Sequence, residues 1–422
     1  MTTMTDPHRE SFRLSMLLYD SRYRSMTIQI VALIGFLILV GWLISNTAQN
    51  LADLGKEPSF GFLGEAAGYD INQMLVEYNN QDTHLRAAFV GLLNTLLVAV
   101  MGCLAATVIG VLVGVLRLSN NWIVSRLMTF YVEMFRNVPV LLWIVFTMAV
   151  LIETLPAPRA FRGDDPSATM YFWDTVAFTN RGFYIPEPLF TRGLGDIHLF
   201  GDAMLRFNLS LDLIAIAATL VAGTLISGLI KKRADRVQEA TGLRPKTWYW
   251  RLGVVLVPTI VVLMILGLHW GHPALKGFNF QGGIYMRNSL IALWLALSLY
   301  TAAFIAEIVR GGILAISKGQ TEAAAALGLR NRRIMSLVIL PQALRVIIPP
   351  LISQYLNLTK NSSLAIAVGY MDLTGTLMGI TANQTGRELE TVLIGMLIYL
   401  GISLSISAVM NAYNNRVKLK ER

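Results

Sequence analysis

Long runs of apolar residues dominate this sequence, and several exceed the roughly 18 residues that indicate a transmembrane helix. Eight runs occur, at about residues 27–45, 88–116, 128–152, 208–230, 252–270, 289–311, 342–358 and 391–413. Charged residues make up only 14% of the chain, against roughly 25% in an ordinary soluble domain. The sequence therefore predicts an all-α polytopic membrane protein with about eight transmembrane helices.

The distribution of lysine and arginine predicts the orientation of these helices. With the N-terminus in the cytoplasm, the inner segments hold 22 of the 35 basic residues and the outer segments hold 11. The positive-inside rule favours this arrangement, and an even number of spans brings the C-terminus to the same side. We expect a multi-pass protein of a bacterial inner membrane, in contact with membrane lipid, with both termini cytoplasmic. The cations lie beside apolar runs, which indicates membrane topology and argues against a nucleic-acid partner.

A short alanine-rich segment lies between two of the predicted spans, on the cytoplasmic side. Its residues Glu322 to Leu327 are strong helix formers, Ser317 and Thr321 are available as N-caps, and Gly328 can end the helix in the left-handed conformation. Ala324, Leu327 and Gly328 fall on one face at helical spacing. Such a narrow face suits insertion into a groove of another protein; a surface linker helix is the alternative.

The spacing of this segment resembles a known family. Glu322-Ala323-Ala324 is followed after three residues by Gly328 and after nine more by Val338-Ile339-Leu340-Pro341. The pattern resembles the "EAA" loop of ABC importer permeases, with Val338 where the family has Ile. In that family the loop forms a coupling helix that docks into the ATPase subunit. The resemblance assigns ATPase coupling to Glu322, Ala323, Ala324, Leu327, Gly328, Leu340 and Pro341.

Other segments are similar to the polar-amino-acid branch of that family. The stretch from Tyr131 to Leu142 resembles its "FRGTPLL" segment, and Asn94-Thr95-Leu96, 306–312 and 360–365 are further family-like pieces. The length and layout resemble a membrane subunit of the bacterial general L-amino-acid transporters. The resemblance implies a permease that carries L-amino acids from periplasm to cytoplasm, with three kinds of protein partner: an ATPase dimer, a second permease subunit (a sibling chain) and a periplasmic amino-acid-binding protein.

The resemblance also divides the chain. Residues 88–152 and 284–422 match the type I importer core, which has five spans, and the latter part carries the EAA loop. Residues 1–87 add a cytoplasmic N-terminus, an extra helix and a periplasmic loop. Residues 153–283 form an insertion with a periplasmic segment and two extra spans. The acidic outer loops at 46–87 and 153–207 are either a solvated surface or a docking platform for the binding protein.

Several motifs of catalysis and cofactor binding do not occur in the sequence. It contains no G-x-x-x-x-G-K-[ST] phosphate loop, no H-E-x-x-H or comparable metal arrangement and no G-x-S-x-G elbow. We therefore expect that the chain is not an enzyme by itself and binds no cofactor or metal. ATP and magnesium are expected on a separate ATPase subunit.

Charges inside the spans are candidates for the substrate path, because burying a charge in a membrane is costly, at least about 2.5 kcal/mol. Glu133 and Arg136 lie three residues apart on one predicted helix, which favours a structural pair. Alternatively, Arg136 and Asn137, beside a kink at Pro139, help to receive a substrate carboxylate. The candidate path residues are Arg136, Asn137, Glu133, Glu307 and Asn361.

Two further alternatives stay open. An ion-coupled secondary transporter would favour an inverted repeat, which the sequence does not show, and a permease for another small polar solute would share most of these features.

In addition, Gly110-x-x-x-Gly114 predicts a helix-packing face. The sequence leaves undecided whether this face packs within the subunit or against a second permease.

Overall fold

The computed structural model describes residues 21–53, 55, 58–163, 165–199 and 207–417. The predicted cytoplasmic N-terminus (1–20) and the last residues of the C-terminal tail (418–422) lie outside the described residues. The chain divides into two compact units, Met1–Phe60 and Gly61–Arg422. The first unit contains helix α1, Ser21–Asp53, which is the predicted extra helix. The elements below belong to the second unit.

The second unit is mainly helical. In chain order its α-helices are α2 (His84–Leu116), α3 (Trp122–Asn137), α4 (Val140–Thr154), α5 (Leu211–Thr241), α6 (Trp248–Leu266), α7 (Asn288–Leu314), α8 (Lys318–Ala326), α9 (Asn331–Ile334), α10 (Leu340–Asn361), α11 (Ala382–Thr385) and α12 (Glu388–Val417). Within the described residues, eight helical segments are long and apolar enough to cross a membrane. The predicted all-α polytopic architecture is confirmed.

The predicted span at 128–152 is wrong as a single helix. Helix α3 ends at Asn137 and α4 begins at Val140, and Val138 between them is extended, with φ −112° and ψ 134°. Proline has no N–H to donate and disfavours the helical conformation of the residue before it, so Pro139 breaks the helix instead of kinking it. The side chain of Asn137 donates to the carbonyl of Glu133 at 2.8 Å, which satisfies one carbonyl freed at the helix end.

Helix α7 forms the centre of the core. It packs against α2, α4 and α10, and Leu293, Leu297 and Ile305 on it are fully buried. Small residues allow α2 to approach closely: a Cβ on Gly110 would lie 2.6 Å from Ile305 Cβ, and one on Gly114 would lie 2.7 Å from the carbonyl of Ala306. The Gly110–Gly114 face therefore packs within the subunit, which decides between the two alternatives left by the sequence.

The last part of the helical core is irregular. Helix α9 continues through a π-helix, Met335–Ile339, into α10, so that one helical segment runs from Asn331 to a 3-10 helix at Ser362–Val368. A second π-helix, Thr374–Thr381, precedes α11 and packs against α2 and α12. Outside the spans, Tyr69 donates to or accepts from Thr381 at 3.1 Å, and burial raises the pKa of this tyrosine to about 12.

Short antiparallel strands cover the region between α4 and α7, which the sequence did not predict. They are β1 (Ala177–Thr179), β2 (Gly182–Ile185), β3 (Glu187–Phe190), β4 (Asp196–Leu199), β5 (Phe207–Ser210), β6 (Leu268–Gly271), β7 (Ala274–Lys276), β8 (Asn279–Gln281) and β9 (Ile284–Arg287). The order β1-β2-β9 makes one sheet, and β9 leads directly into α7. The insertion is thus joined to the core by a sheet.

The two extra spans of the insertion, α5 and α6, form a hairpin. Gly223 of α5 allows close approach, because a Cβ there would lie 2.9 Å from the carbonyl of Val254 in α6. Gly242 ends α5 with a left-handed φ of +71°. The strand pair β3–β6 connects the C-terminal end of α6 to the rest of the insertion.

Candidate functional site

The alanine-rich segment forms a separate short helix, α8, between α7 and α9. The helix begins at Lys318, four residues before Glu322. Ser317 occupies its N-cap position but makes no side-chain capping bond. Gly328 adopts φ +75°, as predicted for the residue that ends the helix. Its N–H donates to the carbonyl of Ala325 at 2.9 Å, and the N–H of Leu329 donates to Ala324 at 3.3 Å.

The predicted common face of Ala324, Leu327 and Gly328 is wrong. Ala324 is 5% exposed and turns inward, whereas Leu327 is 82% exposed. The helix ends at Ala326, and the left-handed turn at Gly328 redirects the chain after it. The outward surface of α8 and its C-cap includes Glu322, Ala323, Ala325, Ala326 and Leu327, whereas Ala324 packs against its own subunit.

Helix α8 is tied to the helix that follows it. It packs against the π-helix Met335–Ile339, and the side-chain amide of Gln342 in α10 donates to Gln320 at 3.3 Å. Leu340 and Pro341 are the first residues of α10 and directly follow the π-helix. Helix α8 is therefore connected to α10 by these contacts and to α7 by the short 315–317 segment.

A cluster of charges lies toward the same end of α7. Oε2 of Glu307 accepts a hydrogen bond from Nη1 of Arg117, and Oε1 accepts one from Nη1 of Arg310 at 3.1 Å. Nη1 of Arg136 lies 3.9 Å from Oε2, and its guanidinium stands 5.5 Å from the centre of the Phe304 ring. One carboxylate thus forms ion pairs with three guanidinium groups: Arg117 at the end of α2, Arg136 of α3 and Arg310 of α7.

The predicted structural pair of Glu133 and Arg136 is not what the structure shows. Arg136 pairs with Glu307, while Oε2 of Glu133 accepts a hydrogen bond from Asn137 at 3.2 Å. Arg136 and Asn137, in the last turn of α3, are exposed on the surface of the subunit. The structure therefore places Arg136 beside Glu307. Glu133 and Asn137 are close to Arg136 in the sequence but lie outside the charge cluster.

Asn361 lies apart from the other candidate path residues. It is the last residue of α10 and is partly buried. Twenty-two residues of helix span about 33 Å, which separates Asn361 from the end of α10 that contacts α8. The five candidate path residues do not form one site in this conformation of the described chain.

The sequence reasoning missed two buried groups. Arg117, counted as an inner loop residue, ends α2 with its side chain only 7% exposed. Asp372 is fully buried and accepts hydrogen bonds from the N–H of Gly375 at 2.9 Å and the hydroxyl of Tyr399 at 3.1 Å. Neither lies within an apolar run, so the search for charges inside spans passed over both.

Among the described residues, no group of three or more His, Cys, Asp or Glu is placed to hold a metal ion.

Comparisons with known proteins agree with the architecture. The profile of the family described as "Binding-protein-dependent transport system inner membrane component" matches residues 253–419. The chain is 56% identical, over the full length of both proteins, to the glutamate/glutamine/aspartate/asparagine transport system permease protein BztB of Rhodobacter capsulatus. It is 42% identical to the general L-amino acid transport system permease protein AapQ of Rhizobium johnstonii, over 98% of this chain and 96% of that one.

One solved structure with similarity is described as "Crystal structure of an amino acid ABC transporter with histidines". The superposition has a TM-score of 0.43 at 18% identity and covers 79% of this chain and 95% of that one. The family evidence therefore rests on the full-length sequence relatives.

Proposed function

Because this chain belongs to the permease family of binding-protein-dependent transport systems, we propose that it carries L-amino acids from periplasm to cytoplasm in an ATP-driven importer. The multi-pass membrane architecture and the relatives named as amino-acid permeases support this proposal. Within it, the chain forms half of the translocation path and a second permease, a sibling chain, forms the other half. Both termini lie in the cytoplasm.

The observation that carries the proposal is the exposed surface of α8. Glu322, Ala323 and Leu327 turn away from their own subunit, although Leu327 is a large apolar side chain. Small side chains around it permit close approach of another backbone, and a fully exposed leucine gains free energy on burial, about 1.5–3 kcal/mol. A groove on a separate ATPase subunit fits this surface.

The connections of α8 provide the coupling. ATP and magnesium bind to the ATPase dimer, whose closure draws the two coupling helices of the permease pair together. The Gln320–Gln342 contact and the short 315–317 connection transmit this movement to α10 and α7. The path then opens outward and receives an amino acid from a periplasmic binding protein, and hydrolysis resets it inward.

Reconstitution tests this function. The purified chain, with its partner permease and nucleotide-binding subunit, is placed in lipid vesicles with the periplasmic binding protein outside. Uptake of labelled L-glutamate or L-glutamine is expected to require ATP and the nucleotide-binding subunit. Uptake that is driven by a proton or sodium gradient without ATP would identify an ion-coupled secondary transporter instead. ATP-driven uptake of other polar solutes, with no L-amino acid carried, would identify a permease for another small polar solute and contradict the assignment to L-amino acids.

A further inference from the structure

Two adjoining cavities lie between the insertion and the core, and nothing in the proposed mechanism uses them. The larger, of about 590 Å³, is bounded by the turn between β1 and β2, the strands β8 and β9, the end of α4, the start of α7 and Val368-Gly369. The smaller, of about 400 Å³, shares Asn180 and Arg181 with it and extends under Phe278. Both volumes lie within the roughly 300–1,000 Å³ range of small-molecule sites.

The cavities are at the opposite end of α7 from the coupling helix. Asn288 and Ser289, in the first turn of α7, line the larger cavity, whereas α8 follows the last turn of the same helix. A helix of 27 residues spans about 40 Å, so the two features lie on opposite sides of the membrane. With α8 in the cytoplasm, the cavities face the periplasm.

Positive charge lines these cavities, and no carboxylate of the described residues pairs with it. The arginines that line them are Arg159, Arg162, Arg181 and Arg287. None forms an ion pair with a carboxylate in the described part of the chain, and the lining residues include no aspartate or glutamate. Guanidinium groups bind carboxylates through paired hydrogen bonds, so this lining favours an anionic group from outside the chain.

Hydrogen-bond acceptors complete the site. Asn288 is 2% exposed and its Nδ2 donates to the carbonyl of Thr179 at 3.3 Å, which fixes the orientation of the amide. Asn288 and Asn180 both line the larger cavity, and the buried Oδ1 of each has no hydrogen-bond partner among the described residues. A buried acceptor without a donor costs free energy, about 1–3 kcal/mol. Both oxygens therefore favour a ligand that donates hydrogen bonds.

The position of these groups is held by contacts from several segments. Asn180 and Arg181 form the two-residue turn between β1 and β2, and the N–H groups of Arg181 and Gly182 both donate to Oγ1 of Thr179 at 3.2 Å. The N–H of Asn180 donates to the carbonyl of Pro156, just after α4, at 3.0 Å. Arg287 lies opposite Gly182 in the β2–β9 register. Backbone hydrogen bonds of both the insertion and the core thus position Asn180, Arg181 and Arg287.

We propose that this double cavity is a binding site for free α-amino acids, in which arginines receive the α-carboxylate and the amide oxygens of Asn180 and Asn288 receive the α-ammonium group. This proposal rests on the proposed amino-acid transport function and adds to it a periplasmic site that the insertion builds. The excess of arginine also favours acidic side chains over basic ones.

Direct binding to the assembled transporter in nanodiscs, without the binding protein, tests the site. Labelled L-glutamate is the probe. The Arg181→Gln, Arg287→Gln double variant is expected to bind it at least roughly tenfold more weakly, the effect of a lost charge-assisted hydrogen bond. Arg192→Gln removes an exposed arginine outside both cavities and is expected to bind like wild type. Thermal melting and ATPase co-purification verify that each variant is assembled.

A competition series tests the ammonium half without any substitution in the amides. L-glutamate is expected to compete well, whereas its 2-oxo acid and its N-acetyl form, which lack the α-ammonium group, are expected to compete poorly. Equal competition by all three would overturn the assignment to amino acids. Unchanged L-glutamate binding in an assembled double variant that still transports would overturn the proposed cavity site and leave the proposed transport function intact. A wild-type transporter that carries no L-amino acid would overturn both proposals.

Discussion

Arg117, which ends helix α2, donates a hydrogen bond to Glu307 in the C-terminal third of the central helix α7, and the two residues are 190 positions apart in the sequence. The guanidinium is almost completely buried, and Glu307 is the carboxylate that compensates its charge. Arg310 and Arg136, whose side chains are more exposed than that of Arg117, contact the same carboxylate. Glu307 therefore joins three helices at one point.

We expect Glu307→Gln to destabilise the folded protein. Removing one partner of a buried pair leaves the other charge uncompensated, and with Glu307 one-third exposed the cost is about 2 kcal/mol, less than for a fully buried pair. Thermal melting of the detergent-purified protein measures the effect. Glu133→Gln is the matched control, because Glu133 is exposed and bonds only to its neighbour Asn137 among the described residues. Equal melting temperatures would contradict the role of Glu307.

The close approach of α2 and α7 gives a second prediction. Gly110→Ala places a methyl group 2.6 Å from Ile305 Cβ and 2.9 Å from the carbonyl of Ala302, and such overpacking costs about 1–3 kcal/mol. The melting temperature is expected to fall. At Gly228 in α5 an added Cβ meets nothing within 4 Å, so Gly228→Ala is expected to leave it unchanged or slightly raised. A stable Gly110→Ala variant would show that the two helices can separate without loss.

The transmembrane helices and the end of α8 at Gly328 could be predicted from the sequence because both depend on local properties. Apolar length decides whether a segment spans a membrane, and a glycine after a run of helix formers marks a helix end. The break after Asn137 was also within reach of the sequence, since Pro139 restricts Val138. Predicting one span there gave the apolar run more weight than the proline.

The partner of Arg136 could not be predicted from the sequence. A residue three positions away, such as Glu133, is the nearest carboxylate on a helix, but the structure pairs Arg136 with Glu307, 171 positions along the chain. Long-range pairs of this kind depend on how helices pack. The short strands also lay beyond sequence reasoning, because three or four residues carry too little alternation to be recognised.

The orientation of the helices is open to a direct test. A reporter that is active only in the periplasm, fused after residue 70 or 180, is expected to be active; fused after residue 240 or 325, it is expected to be silent. Residue 180 lies beside the start of α7 and residue 325 beside its end, so these two fusions report the two sides of one helix. Activity at 240 would mean that the α5–α6 hairpin does not cross the membrane twice.

Substitutions of Arg136 distinguish a structural role of this residue from a role in the substrate path. If it receives a substrate carboxylate during transport, Arg136→Lys is expected to retain more uptake than Arg136→Gln, though less than wild type, because lysine lacks the paired donors of arginine. Arg126→Gln, an exposed arginine on the same helix, is the control and is expected to transport normally. Equal uptake by the Lys and Gln variants, at matched expression, would confine Arg136 to its contacts with Glu307 and Phe304.

A test of the proposed coupling role of α8 must distinguish damage to its backbone from damage to its surface. Gly328 and Gly242 both follow a helix with a left-handed φ, +75° and +71°, and an added Cβ at either meets nothing within 4 Å. An alanine at either position costs about 1–2 kcal/mol in backbone strain. Gly328→Ala and Gly242→Ala are therefore expected to lower the melting temperature equally.

Only changes at α8 are expected to disturb the ATPase. The Glu322→Lys, Gly328→Asp double variant places a reversed charge and a new side chain on the exposed surface, so we expect it to insert into the membrane, lose co-purification with the nucleotide-binding subunit and lose uptake. Gly242→Asp, with the same strain and the same added charge, is expected to retain both. Because Glu322 makes no ion pair within the described residues, loss of folding would not explain the difference. Normal uptake by the double variant would remove α8 from the coupling path.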